Sequence, residues 1–591
     1  MSVTSVSEQE TVGAASGAGA AADAAAGGAG AAATHEVLNQ SVALEGYNSY
    51  EADRVMGEAV RREGAEWAED RIRDFGAICG RADVIRKGFA ANENPPRLRT
   101  HDRFGHRIDE VEFDPSWHEL MTLGVEHGLH SLPWREPGPG SNVARAALFM
   151  LLTHVESGVG CPLSMTYSAV PALRRQPELA AEWEPRFTAL GYDGRSAPAA
   201  GKPGALCGMA MTEKQGGSDV RANTTRAAPL NGGGPGAEYA LTGHKWFCSA
   251  PMCDAFLVLA QAPGGLSCFL VPRWTPDEQR NVFQIQRLKD KLGNRSNASS
   301  EIEFRDTWGR MVGEEGRGVA TIIEMVNRTR LDCVIGATAG LRAGVAQATH
   351  HAAHRSAFGK SLIDQPLMQN VLADLAIESE AATIAAMRLC RAYDDGDAEA
   401  GGGADGSGQS ALFRRLATPV LKYWLCKRAP WHAVEALECF GGNGFVEESG
   451  MPRLFRESPL CSIWEGSGNV QCLDVLRAMV KSPGSVEAFL VEVGEAGAGT
   501  DGRAEAALAK ATERLQTELT ADIETIESRA RRVVEQMALV LQASLLIRHG
   551  DEAVAEAFCA SRLEGDWGGA FGTLPAGTDF ARIIERHRPF A

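Results

Sequence analysis

The sequence predicts a multi-domain α+β protein: an N-terminal helical domain, a middle β domain, a helical bundle and a further C-terminal helical domain. Three observations lead there. Hydrophobic residues recur at helical spacing up to about residue 207 and again from about residue 318. Between them lie short runs rich in β-branched and aromatic residues, punctuated by Gly, Pro and Asn. The 591 residues, 44% hydrophobic and 23% charged, have an ordinary globular composition and exceed what one core holds.

Each part has its own signature. Residues 1–34 are almost wholly Ala, Gly, Ser and Thr and read as a disordered tail, with little apolar side chain to offset ordering entropy. Its Gly17-Ala-Gly19-Ala-Ala-Ala22 imitates a dinucleotide fingerprint, but no strand precedes it, so it is set aside. In 35–207, "MGEAVRREGAEWAEDRIRDFG" (Met56–Gly76) has amphipathic helical spacing, and "ARAALFMLLTHVESG" (Ala144–Gly158) is apolar nearly all round, as in a buried helix. In 208–315, "EYALTGHKWFCSA", "AFLVLAQ", "LSCFLVPR" and "ASSEIEFRDTW" read as strands. In 316–482, "VIGATAGLRAGVAQATHHAAHRSAFG" (Val334–Gly359) is a helix of small residues suited to close packing. "DDGDAEAGGGADGSGQ" (Asp394–Gln409) reads as an acidic interhelical loop. The helical pattern restarts at Leu412 and stops at the glycines before Gly444, and residues 483–591 are helical again.

Composition excludes several functions. A net charge of −17 repels nucleic acid and anionic membranes unless basic residues cluster locally. The 13 cysteines include no CxxC pair, which argues against a zinc ribbon or thioredoxin-like site and suits a reducing, cytoplasmic setting. No apolar run reaches the roughly 18 residues of a membrane span. The N-terminal residues lack the basic start and compact apolar run of a signal peptide. His350 and His354 have a metal-binding i, i+4 spacing, but no further ligand pattern supports one, so a hydrogen-bonding role and no metal are expected.

Five stretches carry chemistry. In "MTEKQGGSD" (Met211–Asp219), Gly216 and Gly217 let backbone approach a ligand, and Thr212 and Ser218 bring hydroxyls; an ordinary turn is the alternative. "GHKWFCS" (Gly243–Ser249) could flank a flat heterocycle or pack the core. In "HRSAFG" (His354–Gly359), Arg355 can hold pyrophosphate and Phe358 can pack on adenine. The turn of "ECFGGNG" (Glu438–Gly444) could cradle phosphate or cap a helix. "SIWEGSGN" (Ser462–Asn469) presents Glu465 as a turn cap or a catalytic base.

In this order, these stretches resemble the acyl-CoA dehydrogenase family. Thr212–Asp219 resembles its Thr-Glu-x-x-x-Gly-Ser-Asp element, and Arg355–Gly359 its Arg-x-x-Phe-Gly. Gly441–Gly444 and Trp464–Ser467 resemble its Gly-Gly-x-Gly and aromatic-Glu-Gly-Ser/Thr. "GMAMTEKQGGSDVRANTTR", "RLKDKLGNRSNAS" and "SIWEGSGNVQCLDVLR" are similar to the AidB-like subfamily of alkylation-response flavoproteins, from roughly His35 onward. The resemblance implies the acyl-CoA dehydrogenase fold with a β-barrel-like middle domain, bound FAD and a homotetramer. Met211, Thr212, Gly217 and Ser218 would meet the isoalloxazine and diphosphate. Phe247 takes a flavin-stacking position, Ser249 faces flavin N5, and Cys248 lies between them. Arg355, Phe358, Gly441, Gly442, Asn443 and Gly444 would bind FAD of a neighbouring subunit. Gln365 would stand in for a family Gln whose aligned position is Pro366 here. Ile463, Trp464, Ser467 and Asn469 would bind FAD beside Glu465.

Glu465 is then the family's base position. It would remove the α-proton of an acyl thioester while the β-hydride leaves to flavin N5, and burial would raise its basicity. Arg477 would point into the active site and crowd a long acyl chain, which implies a short or branched acyl-CoA and an unidentified electron acceptor. The same resemblance implies an alternative: non-specific binding of double-stranded DNA through the C-terminal domain, with protection from small electrophilic alkylating agents or their inactivation. Arg529, Arg531 and Arg532 form the best basic cluster there. Residues 483–591 nevertheless hold 11 Lys and Arg against 18 Asp and Glu, a poor balance for phosphate neutralisation.

Overall fold

The computed structural model describes residues 34–401, 408–497, 502–521 and 525–589. The expected N-terminal tail up to residue 33, with its fingerprint mimic, lies outside the described residues. Ser41–Ala591 form one unit, separate from the residues before it. Asp53 starts its first helix by accepting the Met56 N–H, which satisfies one of the donors left open at a helix start.

The stretch expected as one helix over Met56–Gly76 is two, α1 (Arg54–Arg62) and α2 (Glu69–Cys79). Gly64, in the left-handed region at φ +85°, turns the chain between them. After α3 (Ala82–Glu93) comes an antiparallel hairpin of β1 (Arg97–His101) and β2 (Arg107–Glu112) in a region read as helical. Its strands are mostly charged, so they lack the β-branched signature that marks the later ones. Then follow α4 (Pro115–Glu126), α5 (Leu132–Arg135), α6 (Ser141–Val155), α7 (Gly160–Leu173) and α8 (Pro177–Phe187). As its composition predicts, α6 is buried on all sides except at Thr153 and His154.

Seven strands make the middle sheet: β3 (Cys207–Ala210), β4 (Arg226–Pro229), β5 (Glu238–Ser249), β6 (Ala255–Ala262), β7 (Gly265–Pro272), β8 (Phe283–Leu288) and β9 (Ser299–Val312). Neighbours run β6-β4-β5-β9-β7 and β7 pairs β6 again, so the sheet closes on itself; β3 adds to β6 and β8 to β9. Closure removes exposed edges, and the barrel core is filled by Tyr239, Phe256, Phe269, Phe283 and Phe304.

Helices resume with α9 (Gly318–His354), which packs against α6 and α7 on one side and on α10 (Pro366–Gly401) and α11 (Gln409–Glu438) on the other. Between α9 and α10, the two-residue strands β10 (Ser356–Ala357) and β11 (Lys360–Ser361) form a hairpin. The stretch expected as a loop over Asp394–Gln409 needs correction. Up to Gly401 it continues α10. Its acids are satisfied by partners: Asp394 accepts from Asn142, Asp395 pairs with Arg391, and Asp397 with Arg328 and Arg414. Residues 402–407 lie outside the described residues. The chain then forms α12 (Met451–Glu457), α13 (Gly468–Lys481), α14 (Gly484–Gly494), α15 (Arg503–Thr520), α16 (Ile526–His549), α17 (Glu552–Phe558) and α18 (Phe580–His587). No helix among the described residues is long and apolar enough to cross a membrane.

Candidate active site

Three segments meet around a cavity of about 700 Å³: the loop after β3, the end of β5, and the turn before α13, with α9 as a shared wall. The β3 loop is anchored from beneath by a residue that sequence reading missed. Glu213 is fully buried and accepts from Lys245 Nζ at 2.9 Å, Thr224 N at 2.7 Å and Thr225 N at 3.1 Å. Burial pushes its carboxyl up, but Lys245 and these donors outweigh burial and hold it well below the usual carboxylate range. Lys245 Nζ also donates to Leu259 O at 2.7 Å, which ties the loop to β5 and β6. Gly217 has a second reason to be glycine, since a Cβ would lie 2.6 Å from Thr212 Oγ1.

On β5, strand alternation decides which side chains reach the cavity. Phe247 and Ser249 line it, whereas Cys248 points the other way into the core with no exposure. Ser249 Oγ lies 3.3 Å from Ser299 Oγ, which accepts from Lys291 Nζ at 3.1 Å.

Glu465 is held in the left-handed region at φ +57°, which costs a non-glycine residue roughly 1–2 kcal/mol. The surroundings enforce it. Arg330 Nε and Gln471 Nε2 donate to its carbonyl at 3.1 and 3.0 Å, and Lys422 Nζ donates to the carbonyls of Trp464, at 2.7 Å, and Gly466. Arg330 is fixed in turn by Asp474 at 2.7 Å. The side chain faces the cavity, and Thr329 Oγ1 donates to its Oε2 at 2.6 Å. Burial raises its pKa above the ordinary value, against the Thr329 hydrogen bond and the charges of Arg330 and Lys422. A strained, oriented carboxylate of raised basicity can serve as a general base.

Of the expected site residues, the structure gathers Met211, Thr212, Gly217, Ser218, Phe247, Ser249, Ile463, Trp464, Glu465, Ser467 and Arg477 around this one cavity. Arg477 has no hydrogen-bond or ion-pair partner among the described residues. Arg355, Phe358, Gln365, Gly441, Gly442, Asn443, Gly444 and Asn469 do not line it. Gln365 Nε2 donates to Ala357 O at 2.8 Å and so steadies the β10–β11 hairpin, where Phe358 is 99% exposed. Asn469 Oδ1 accepts from Arg531 Nε at 2.8 Å, and both Arg529 and Arg532 pair with Glu518. The three arginines of the expected DNA cluster are thus engaged within the chain. His350 Nε2 meets Val42 O at 2.9 Å and His354 Nδ1 meets His350 O at 2.8 Å. No group of three or more His, Cys, Asp or Glu is placed to hold a metal among the described residues.

Sequence reading missed Thr329, Arg330, Lys422 and Asp474. The one signal available was Lys422, a charge between Leu421 and Tyr423 on α11; Thr329 and Arg330 sit in a polar run of α9, and Asp474 lies on α13. It also missed an ionic wall of the cavity made by Glu156, Lys291, Arg453 and Glu457. Burial pushes Glu457 up to about 7, with the Glu156 charge adding to the shift.

The site fits a flat cofactor with polar edges. Hydroxyls of Thr212, Ser218 and Ser249 and the rings of Phe247 and Trp464 face one space. Trp464 Nε1 is buried with no partner, a donor that a ligand oxygen would satisfy.

Comparison with known proteins agrees. The family described as "Adaptive response protein AidB N-terminal domain" matches residues 39–194, the acyl-CoA dehydrogenase middle domain matches 208–307, and the acyl-CoA dehydrogenase C-terminal domain matches 316–480. ACDH-11 of Caenorhabditis elegans, solved in complex with C11-CoA, superposes with a TM-score of 0.81 at 28% identity, over 90% of this chain and 94% of that one. An acyl-CoA dehydrogenase from Bacillus anthracis complexed with FAD shares the fold at a TM-score of 0.59 and 17% identity, covering 80% of this chain and 79% of that one. Members of the acyl-CoA dehydrogenase family are FAD-dependent oxidoreductases acting on CH–CH bonds. AidB of Escherichia coli (strain K12) is 43% identical over 537 residues, 90% of this chain and 95% of that protein, and with both dehydrogenase domains behind an AidB-type N-terminal domain the chain belongs to the acyl-CoA dehydrogenase family, among its AidB-like members.

Proposed function

We propose that the protein oxidises the Cα–Cβ bond of an acyl-CoA thioester and that Glu465 removes the α-proton. One observation carries this reading: a carboxylate of raised pKa, held by Thr329 and strained backbone, faces the same cavity as the residues suited to a flavin. Bound FAD would supply the acceptor for the hydride leaving Cβ. Met211, Thr212, Ser218, Phe247, Ser249, Trp464 and Ser467 are the residues that would hold it. The rest of the work falls to the chain. Thr329 fixes one carboxyl oxygen, and the other has no protein partner among the described residues. The Arg330 and Lys422 contacts keep the turn from relaxing. The likeness to a protein solved with C11-CoA supports an acyl-CoA ligand. The acyl group expected from the sequence is short or branched; the length of the cavity beyond Glu465 favours a longer one.

Arg355, Phe358 and Gly441–Gly444 lie off the cavity but near one another, since His351 stacks on Phe440 with ring centroids 4.2 Å apart. Phe358, Leu367 and Phe445 are exposed around them. A homotetramer in which this surface seats the distal part of a neighbour's FAD accounts for both features. The 13 cysteines, all free, suit a cytoplasmic setting.

Glu465→Gln tests the reading. It keeps shape and hydrogen bonding but removes the base, so flavin should stay bound while acyl-CoA-driven flavin reduction falls on the order of 10²–10⁴-fold. Unaltered reduction at unaltered flavin content would take Glu465 out of the mechanism.

A further inference from the structure

The cavity continues well past Glu465. One broad face of α9 lines it at 319, 322–323, 326, 329–330, 332–333, 336–337, 339–340, 343 and 346–347, returning every three to four residues. At 1.5 Å per residue this wall is roughly 42 Å long. Glu465 is bonded to Thr329, so roughly 27 Å of it lie on the C-terminal side of the base.

That distal wall is built from small residues: Gly336, Gly340, Ala343 and Ala346 on α9, with Ala429 and Ala433 on α11. The glycines are not there for packing. A Cβ at Gly340 would meet no atom within 4 Å, and one at Gly336 would meet only Cys461 Sγ at 3.7 Å. Glycine within a helix is less stable than alanine, so these positions keep a less stable residue where the helix has room for a larger one. What their missing side chains leave is open cavity. The wall is also uncharged there, since burial holds the His154 imidazole down to about 4. The ionic groups Glu156, Lys291, Arg453 and Glu457 come from elements other than α9 and α11, and methylenes avoid them because they would desolvate charge without pairing it.

Resting on the acyl-CoA reading above, we infer that the protein takes linear acyl-CoA of medium to long chain, whose methylenes run along the α9 face past Gly336 and Gly340. An extended chain advances roughly 1.2 Å per bond, so about nine bonds reach Gly336 from the level of Thr329 and about fourteen reach Gly340. Gly340 is then the gauge of chain length.

The test uses flavin-loaded protein and straight-chain acyl-CoA from C4 to C18, with affinity and anaerobic flavin reduction both measured. In the wild type, affinity should climb with length to at least C12, by roughly fourfold per buried methylene. Gly340→Leu should leave C4 unchanged, because that chain ends before it, and should weaken C16 and C18 by on the order of 10–100-fold. Flavin content and melting temperature report whether the variant folds. A flat wild-type profile overturns the inference whatever the variant does, and so does a Gly340→Leu profile that matches the wild type. If no chain length binds or reduces the flavin, the acyl-CoA reading itself falls. If short chains react but length brings no gain, only the tunnel falls.

Discussion

Glu465 and Thr329 are 136 residues apart in sequence, and their hydrogen bond opposes the burial that dominates the titration of the site. Burial raises the Glu465 carboxyl, so its charged form is disfavoured on folding. The sign follows. A raised carboxylate contributes stability below its unfolded pKa that is lost as pH rises through its folded one. Glu465→Gln should therefore leave the melting temperature at neutral pH equal or higher, while activity collapses; a residue that only caps the turn would show the reverse. Thr329→Val keeps volume but removes the donor to the charged form. The Glu465 pKa should rise further, and the acidic limb of the flavin-reduction pH profile should move to higher pH with a similar plateau. An unmoved limb would show that Thr329 does not tune the base.

At the scale of an element, the β3 loop depends on the Glu213–Lys245 pair, both side chains having no exposure. Removing one partner of a buried pair leaves an uncompensated charge and typically costs 3–5 kcal/mol. Lys245→Met should cost about that in unfolding free energy, and flavin content should fall with it, because Met211–Ser218 loses its anchor. A lower melting temperature with full flavin occupancy would separate the pair from the binding loop. Element patterns were readable where the signal is local: the apolar α6, the partly alternating β5 and β9 and the continuously apolar β6 and β7 stand where sequence reading put strands and helix. The charged β1–β2 hairpin and the helical start of the acidic stretch were not, because register with a partner strand and pairing with distant Arg328, Arg391, Arg414 and Asn142 stabilise them.

At the scale of the whole molecule, α18 clamps distant parts of the chain. Arg586 bonds Glu380 of α10 and Glu58 of α1, and His587 Nε2 lies 2.8 Å from Glu380 Oε2. Burial pushes Glu380 up, but His587 and Arg586 outweigh burial and hold it at about 2. Such a depressed carboxylate contributes stability above the usual carboxylate range that is lost as pH falls toward 2. Replacing both Arg586 and His587 by Ala should cost about 3–5 kcal/mol at pH 7. The gap to the wild type should narrow between about pH 5 and 3, readable by urea unfolding at each pH. A gap independent of pH would show that packing, not charge, holds α18.

The sequence alone determined the alternation of helical and β texture and the motif residues Met211–Ser218, Phe247, Ser249 and Trp464–Ser467, because periodicity and short-range turn chemistry are written in neighbouring residues. It also carried Glu465 as a candidate base. Only the tertiary structure decided that Cys248 faces the core, that Arg529 and Arg532 pair with Glu518 and Arg531 with Asn469, and that Thr329, Arg330 and Lys422 contact the Glu465 turn. It alone revealed an open cavity where the α9 glycines have no packing partner. Those facts depend on which side chains folding brings together across hundreds of residues, and no local pattern encodes that.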